Sequence, residues 1–252
     1  HMEPGCSIHY SIADAGGISP NVVQPKAKLV YMVRAQTVRK AKALLERVND
    51  IARGAALMSG TAVTWHQLDG TSDTLSNTVL EQLLYDNLVE APLPEYTREE
   101  WAFAAALRGT YPHEGLPGEG VDTNPVLKKQ IRALSQEGTK DINDFVVPYY
   151  PAASYSPGST DVGDVSWLTP TAQFTAATWT SQVPGHSWQV VSTGKTGLAY
   201  KGLLYAAKVL AGAAADLMEK PELLKQAREE FSETAAEGYD CPIGPEVVPS
   251  AQ

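Results

Sequence analysis

The sequence predicts a mixed α/β chain whose first part is close to a ferredoxin-like sandwich, an antiparallel sheet with helices on one face. This prediction depends on the order of elements between residues 7 and 91, which is strand, strand, helix, strand, helix. It also depends on a change of composition after Pro92, where this regular order ends. A long helix of small residues, 195–218, then dominates the last part of the chain. We therefore expect a domain boundary near residue 94.

Three strands are predicted in the first part, each from alternation of apolar and polar residues. They cover residues 7–14, 26–35 and 61–69, and glycine and proline turn signals follow the first. The two helices of this part, about 37–58 and 74–91, follow from apolar residues spaced three or four apart. Thr37 is the predicted N-cap of the first helix.

The second part is predicted to contain helices at 97–108 and near 125–136, an irregular stretch at 140–170 and a buried strand at 172–179. Long irregular stretches inside compact domains are often functional. The last two helices are predicted at 195–218 and 221–236. For the first of them, the expected buried face consists of Ala199, Leu203, Ala206, Leu210, Ala213 and Leu217.

The composition of the 252 residues is that of an ordinary globular protein, with 43% hydrophobic and 19% charged residues. The net charge of −9 and the lack of a lysine or arginine cluster argue against nucleic acid or an anionic membrane as partner. Cys6 and Cys241 stand at opposite ends, which favours reduced thiols over a disulfide scaffold. No secretory signal is visible, and a soluble cytoplasmic protein is expected.

His186 is a candidate metal ligand, because it lies between Gly185 and Ser187 at a predicted strand-to-helix junction. A zinc site needs three or four ligands. No other His, Cys, Asp or Glu lies within ten residues on either side, so the chain has no local metal motif here. On these residues alone, an ordinary hydrogen-bonded histidine is the favoured interpretation.

Acidic residues give weaker signals. Asp161 and Asp164 stand three apart among small residues, where turn residues that cap backbone amides are the favoured interpretation. The adjacent pairs Glu99-Glu100 and Glu229-Glu230 fall on predicted helices and are expected to be solvated.

Asn21 and Arg34 flank the second predicted strand, thirteen residues apart. An arginine at the edge of a strand can hold a carboxylate through two parallel hydrogen bonds. A single arginine is more often an ordinary surface residue, so the pattern alone leaves both interpretations open.

Five separated segments together resemble the zinc-dependent aminoacylase and glutamate-carboxypeptidase superfamily. They are "HYSIADAGGISPNVVQPKAKLVYMVRA", "GAALMSGT", "STDVGDVSW", "GHSWQVVSTGKTGLAYKGLLYAAKV" and "YDCPIGPEVVPS", which occur in the family's order. The resemblance runs from about residue 7 to the C-terminus and is weakest over residues 92–150.

This resemblance implies a domain assignment. Residues 1–94 are expected to form the lid or dimerisation domain, lacking its first helix. Residues 95–252 are expected to form the C-terminal half of a zinc-peptidase-like α/β catalytic domain. The family's His-x-Asp motif, bridging aspartate and paired glutamates have no counterpart here. The general base is therefore expected outside this chain, which alone should be inactive.

The resemblance also implies an activity and site residues. The activity is metal-dependent hydrolysis of the amide bond of N-acyl amino acids such as p-aminobenzoyl-glutamate. His186 matches the family's last metal ligand, in a two-metal site that holds zinc or manganese. Asn21 and Arg34 match residues that grip the substrate carboxylate in the active site of the other subunit. A substrate-side loop is matched by Ser159, Thr160 and Asp161.

The implied partners are a small N-acyl amino acid with a free carboxylate and a second subunit, either an identical copy or a related chain. Two alternatives remain open at this point. Instead of being part of an enzyme, the chain could be a non-catalytic fragment or subunit that acts as a dimerisation and carboxylate-binding module. The other alternative is a protein that binds carboxylates through Asn21 and Arg34 without metal. The latter would bind its ligand in the presence of chelators.

Overall fold

The computed structural model describes residues 2–113, 115–117, 124–151, 158–245 and 247. In these residues two strands and eight helices follow one another in the order β1 Ser7–Asp14, β2 Lys28–Arg34, α1 Val38–Ser59, α2 Thr78–Glu90, α3 Arg98–Arg108, α4 Pro125–Leu134, α5 Val162–Ser166, α6 Trp188–Thr193, α7 Gly197–Glu219 and α8 Pro221–Thr234. The predicted mixed α/β class is confirmed at this level. None of the described helices combines the length and apolar character needed to cross a membrane.

The chain divides into two compact units. The first consists of His1–Thr74, Pro157–Trp167 and Gly238–Gln252, and the second of Leu75–Ser156 and Leu168–Glu237. The expected boundary near residue 94 falls inside the second unit, because α2 clusters with the later helices. The assignment of residues 1–94 and 95–252 to a lid and a catalytic half stays a prediction.

In the first unit, β1 and β2 form an antiparallel pair, as the alternation of residues 7–14 and 26–35 predicts. Tyr10 lies opposite Tyr31, and the two rings stack with centroids 5.8 Å apart. Such aromatic cross-strand pairs stabilise a sheet beyond the area they bury. In this register Arg34 is the last residue of β2 and lies opposite Ser7, the first residue of β1.

The third predicted strand, residues 61–69, is wrong. This segment has no regular secondary structure and is mostly exposed, and it joins no ladder among the described residues. Its side chains make other contacts instead. Gln67 donates to the carbonyl oxygen of Pro242 at 2.6 Å, and the ring of Trp65 lies under the guanidinium of Arg53. Alternation of apolar and polar residues shows that a segment could fit a sheet, but a strand also needs a second strand to pair with. The ferredoxin-like lid is therefore not confirmed.

Helix α1 begins and ends as its capping residues predict. The side chain of Thr37 accepts a hydrogen bond from the amide of Lys40 at 3.3 Å, which satisfies one free N–H of the first turn. Gly60 ends the helix in the left-handed conformation, with φ +66°. The helix packs against β2 within the first unit.

The second unit has an apolar core, which helices α2, α7 and α8 build by packing on one another. One buried cluster contains Leu83, Leu84, Tyr205, Val209 and Ala213. A second cluster contains Ala104, Ile142 and Leu198. Burial of such side chains is the main favourable contribution to folding.

The predicted strand at 172–179 is also wrong. The segment keeps a period of two, since Ala172, Phe174 and Ala176 are partly buried against the first cluster. The segment packs on helices and pairs with no strand among the described residues. Alternation therefore predicts its buried side but not its hydrogen bonds.

The buried face of α7 differs from the predicted one. Of the six predicted positions only Ala213 is fully buried, and Leu203 and Leu210 are 62% and 55% exposed. The buried face of α7 consists of Leu198, Gly202, Tyr205, Val209 and Ala213. The helix is apolar on both sides, so periodicity alone does not select the buried one.

Candidate functional site

The first unit brings together two of the predicted substrate-binding residues. Nη2 of Arg34, at the end of β2, donates to Oγ of Ser159 at 3.1 Å, although 125 residues separate them along the chain. Arg34 is half-buried and Ser159 is exposed. The hydroxyl is a neutral acceptor, and this contact orients the guanidinium.

The other predicted residues of this set lie in exposed turns. Asn21 is in the loop between β1 and β2, where its side-chain oxygen accepts from Oγ of Ser19 at 2.7 Å. Oγ1 of Thr160 accepts from the amide of Val162 at 3.4 Å. Asp161 directly precedes α5 but makes no capping hydrogen bond with its side chain. Their roles toward a ligand stay predictions.

Asp164 accepts a hydrogen bond from a backbone amide, as the sequence suggests, but this amide belongs to Ser72, which is distant in the chain. It accepts hydrogen bonds from the amide of Ser72 at 3.2 Å, the hydroxyl of Ser72 at 2.6 Å and the hydroxyl of Tyr239 at 2.9 Å. Burial alone would raise the pKa of Asp164, but the hydrogen bonds from Ser72 and Tyr239 outweigh it and hold that pKa below its usual value. The carboxylate is therefore charged at neutral pH.

In the second unit, His186 lies on the turn directly before α6. Its φ of +57° is in the left-handed region, which non-glycine residues rarely adopt. The ring is exposed beside Trp179, Trp188 and Val191, in an open apolar depression. The side chain makes no hydrogen bond with any residue that the structure describes. The ordinary hydrogen-bonded histidine favoured from the sequence is thus not observed within that part of the chain.

The described residues do not by themselves fit a metal site. No group of three or more His, Cys, Asp or Glu side chains comes close enough together within them to hold an ion. A zinc ion takes three or four such ligands, and His186 offers one.

The glutamate pairs fit the prediction of solvated faces only in part. Glu100 completes a capping box at the start of α3 with Thr97 and pairs with Nζ of Lys201 at 2.6 Å. Glu230 accepts from the amide and hydroxyl of Thr78, both at 2.8 Å, at the start of α2. Only their neighbours Glu99 and Glu229 are exposed. One glutamate of each pair is therefore structural, and the other lies on a solvated face as predicted.

Comparison with known proteins gives three relatives, and no family model matches the chain. The chain is 36% identical over 253 residues to one subunit of the p-aminobenzoyl-glutamate hydrolase of Escherichia coli (strain K12), covering 99% of this chain and 52% of that protein. It is 23% and 25% identical to Xaa-Arg dipeptidase of Mus musculus and Homo sapiens, over 230 and 232 residues. Each of these alignments covers 91% of this chain and 41% of the dipeptidase.

All three relatives are hydrolases by name. The resemblance to the aminoacylase and glutamate-carboxypeptidase superfamily is confirmed, since a hydrolase subunit and two dipeptidases align with nearly the whole chain. Within that class, the chain is similar to the p-aminobenzoyl-glutamate hydrolase subunit at 36% identity. It spans about half the length of that relative, at 52%.

Proposed function

We propose that this chain is part of a cytoplasmic, metal-dependent amidohydrolase that cleaves N-acyl amino acids such as p-aminobenzoyl-glutamate. The identity of 36% to a hydrolase subunit named for that substrate supports the proposal. The weaker similarity to Xaa-Arg dipeptidase supports hydrolysis in general. No described cluster of acidic and histidine residues supplies a metal-activated water, so this chain alone is proposed to be inactive.

In this proposal the first unit binds the free carboxylate of the substrate. The observation that carries it is the hydrogen bond from Arg34 to Ser159 at 3.1 Å, which orients the guanidinium. A guanidinium fits a carboxylate through two parallel N–H bonds. Asn21 and Thr160 offer further donors. Asp161 is an anion and an acceptor, which suits an N–H of the substrate better than its carboxylate.

His186 is proposed as one ligand of a two-metal site for zinc or manganese, which other segments of polypeptide must complete. Its exposure and its lack of a described hydrogen-bond partner support this role. Elemental analysis of the purified chain and of His186→Ala tests it. We expect less than one metal ion per chain when the chain is alone. Once the chain is assembled with its partner, we expect the wild type to hold metal and His186→Ala to have lost it. Metal retained by the assembled variant would contradict the role.

Isothermal titration of p-aminobenzoyl-glutamate against the chain tests the carboxylate site. We expect Arg34→Gln to weaken binding by roughly 10- to 100-fold, because one charge-assisted hydrogen-bonding group is worth about 1.5–3 kcal/mol. Arg39→Gln is the matched control, an exposed arginine on α1 in the same unit. Equal Kd values for wild type and Arg34→Gln would contradict the proposal.

A second candidate is an assembly module without activity of its own, and the outer face of α7 favours it. Tyr200, Leu203, Leu210 and Met218 are 53–82% exposed along this face. A helix that is apolar on both sides is usually covered on both. The proposed cover is a second subunit, identical or related.

Sedimentation velocity over a range of concentrations tests this assembly role. We expect the chain to self-associate, or to bind the partner subunit, and we expect the double change Leu203→Glu and Leu210→Glu to abolish the association. Glu229→Lys, an exposed change on α8, is the control. A monomer at all concentrations, with or without the partner, would contradict it.

A further inference from the structure

The contact between Arg34 and Ser159 is one link of a closed series of bonds in the first unit. Ser159 is five residues before Asp164, and Arg34 is four residues before Val38. Both Asp164 and Val38 bind one short segment, residues 71–73, which we call the anchor segment. Whatever holds the anchor segment therefore also sets the separation of Arg34 and Ser159.

The α5 side of the anchor segment is held by polar bonds. The carboxylate of Asp164 accepts from both the amide and the hydroxyl of Ser72, and from the hydroxyl of Tyr239. Nε1 of Trp167, directly after α5, donates to the carbonyl oxygen of Asp73 at 2.9 Å. These bonds fix the helix that the loop of Ser159 leads into.

The backbone of α5 also touches the anchor segment directly. A Cβ added at Gly163 would lie 2.1 Å from the carbonyl oxygen of Ser72, a distance that no side chain tolerates. Gly163 is buried, and glycine is needed there for close approach and not for an unusual φ. Ser72 is also buried, at 7% exposure.

The α1 side of the anchor segment is held by Asp73. Its carboxylate accepts from the amide of Val38 at 2.9 Å, at the first turn of α1. An anion at this end of a helix is favoured by the free N–H groups and the helix dipole. Since β2 ends just before α1, this bond fixes the base of the Arg34 side chain.

We propose that Asp164 and Gly163 are positioning residues, which hold Ser159 against Arg34 and so restrain the guanidinium in one orientation. Because the side chain of Arg34 is already restrained, it loses little conformational entropy when it binds a carboxylate, and this strengthens binding. The effect on ligand affinity depends on the proposed function, whereas the restraint on Arg34 does not.

The restraint is tested without ligand, by heteronuclear NOE measurements at Nε of Arg34. We expect a high value in the wild type and a clear fall in Asp164→Asn and in Ser159→Ala. Ser159→Thr, which keeps the hydroxyl, should restore it. Asp240→Asn is the matched control, because it removes an exposed aspartate of the same unit that pairs with Lys42. Unchanged motion of Arg34 in folded Asp164→Asn would overturn the proposal.

The effect on binding is tested by a double-mutant cycle with p-aminobenzoyl-glutamate as the probe. Asp164→Asn should raise Kd by roughly two- to tenfold in the wild type, the cost of ordering one long side chain. In the Arg34→Gln background it should have no effect on Kd, although its effect on stability persists. An equal effect in both backgrounds would overturn the positioning role.

The two readouts separate this proposal from the proposed function. If Asp164→Asn frees Arg34 but no variant binds the probe, the restraint stands and the carboxylate-binding function fails. If the wild type binds the probe but Arg34 is equally ordered in Asp164→Asn, the function stands and the restraint fails.

Discussion

Among the described residues, both units of the chain bury polar residues, but only the second also buries large apolar side chains. All twelve buried hydrophobic side chains among the described residues, such as Leu198 and Val209, lie in the second unit. The described buried residues of the first unit are small or polar, namely Asn49, Ser72, Gly163 and Ser166. The first unit is therefore held by directional hydrogen bonds, and the second by an apolar core.

This difference fits the roles proposed for the two units. Hydrogen bonds have preferred distances and angles, so a network of them can place a side chain such as Arg34 with respect to a ligand. Apolar burial has no direction but is larger in total. We therefore expect substitutions in the second unit to act mainly on stability, and substitutions in the first to act mainly on binding.

The largest effect on stability is expected in the core of the second unit. Leu198 is 0% exposed, so Leu198→Ala removes buried methyl groups and leaves a cavity, at a cost of about 2–5 kcal/mol. Leu204→Ala is the control on the same helix, where 61% of the side chain is exposed and the expected change is within about 0.5 kcal/mol. Urea unfolding of both variants measures the difference, and equal midpoints would contradict this description of the core.

A smaller effect of known sign is expected from two glycines of the first unit. Gly163→Ala should destabilise the chain by about 1–3 kcal/mol, because the new Cβ meets a backbone oxygen. Gly54→Ala should stabilise it by about 0.5–1 kcal/mol, because nothing lies within 4 Å of that Cβ on helix α1. Urea unfolding measures both free energies. A Gly163→Ala variant as stable as the wild type, or more stable, would show that α5 does not approach the anchor segment closely.

The smallest effects are expected from pH. The pKa of Asp164 is lowered in the folded chain, so the stability it contributes is present above its ordinary pKa of 3.8 and is lost as the pH falls through the lowered value. The difference in unfolding free energy between wild type and Asp164→Asn should thus be constant at neutral pH and shrink below about pH 4. A difference that persists unchanged in acid would contradict it.

Alkali should instead act on the second unit. Burial, with the charges of Asp144 and Glu100, raises the pKa of Tyr96 to about 12 from its ordinary 10.0. Stability that depends on the neutral phenol is therefore complete below pH 10 and is lost as the pH rises toward 12. Comparison of wild type with Tyr96→Phe by urea unfolding at pH 9 to 11 measures this. A variant as sensitive to alkali as the wild type would show that another group is responsible.

Local signals in the sequence predict the local structure well. The alternation of residues 7–14 predicts β1, and Thr37 predicts the start of α1. The wrong strands at 61–69 and 172–179 have the right alternation, but a strand also needs a partner that its own residues do not specify. The same limit applies to α7, whose two apolar faces are alike in the sequence.

The site shows the same division. The resemblance to a known family selects Arg34 and Ser159 separately, but their contact across 125 residues is visible only in the structure. The part played by Ser72 and Tyr239 is likewise not predictable, since neither stands in a motif that indicates a partner for Asp164. The close approach of Gly163 to the anchor segment is likewise visible only in the structure, because a glycine in a loop can serve several purposes.

The most direct test of the carboxylate site is to map binding by NMR chemical shifts, using p-aminobenzoyl-glutamate and its dimethyl ester. The ester keeps the amide bond and the ring but has no free carboxylate. We expect the acid to shift the signals of Arg34 and of residues 158–161, and the ester to leave them unchanged. Equal shifts with both ligands, or shifts confined to the second unit, would contradict the proposal that the first unit binds the substrate through its carboxylate.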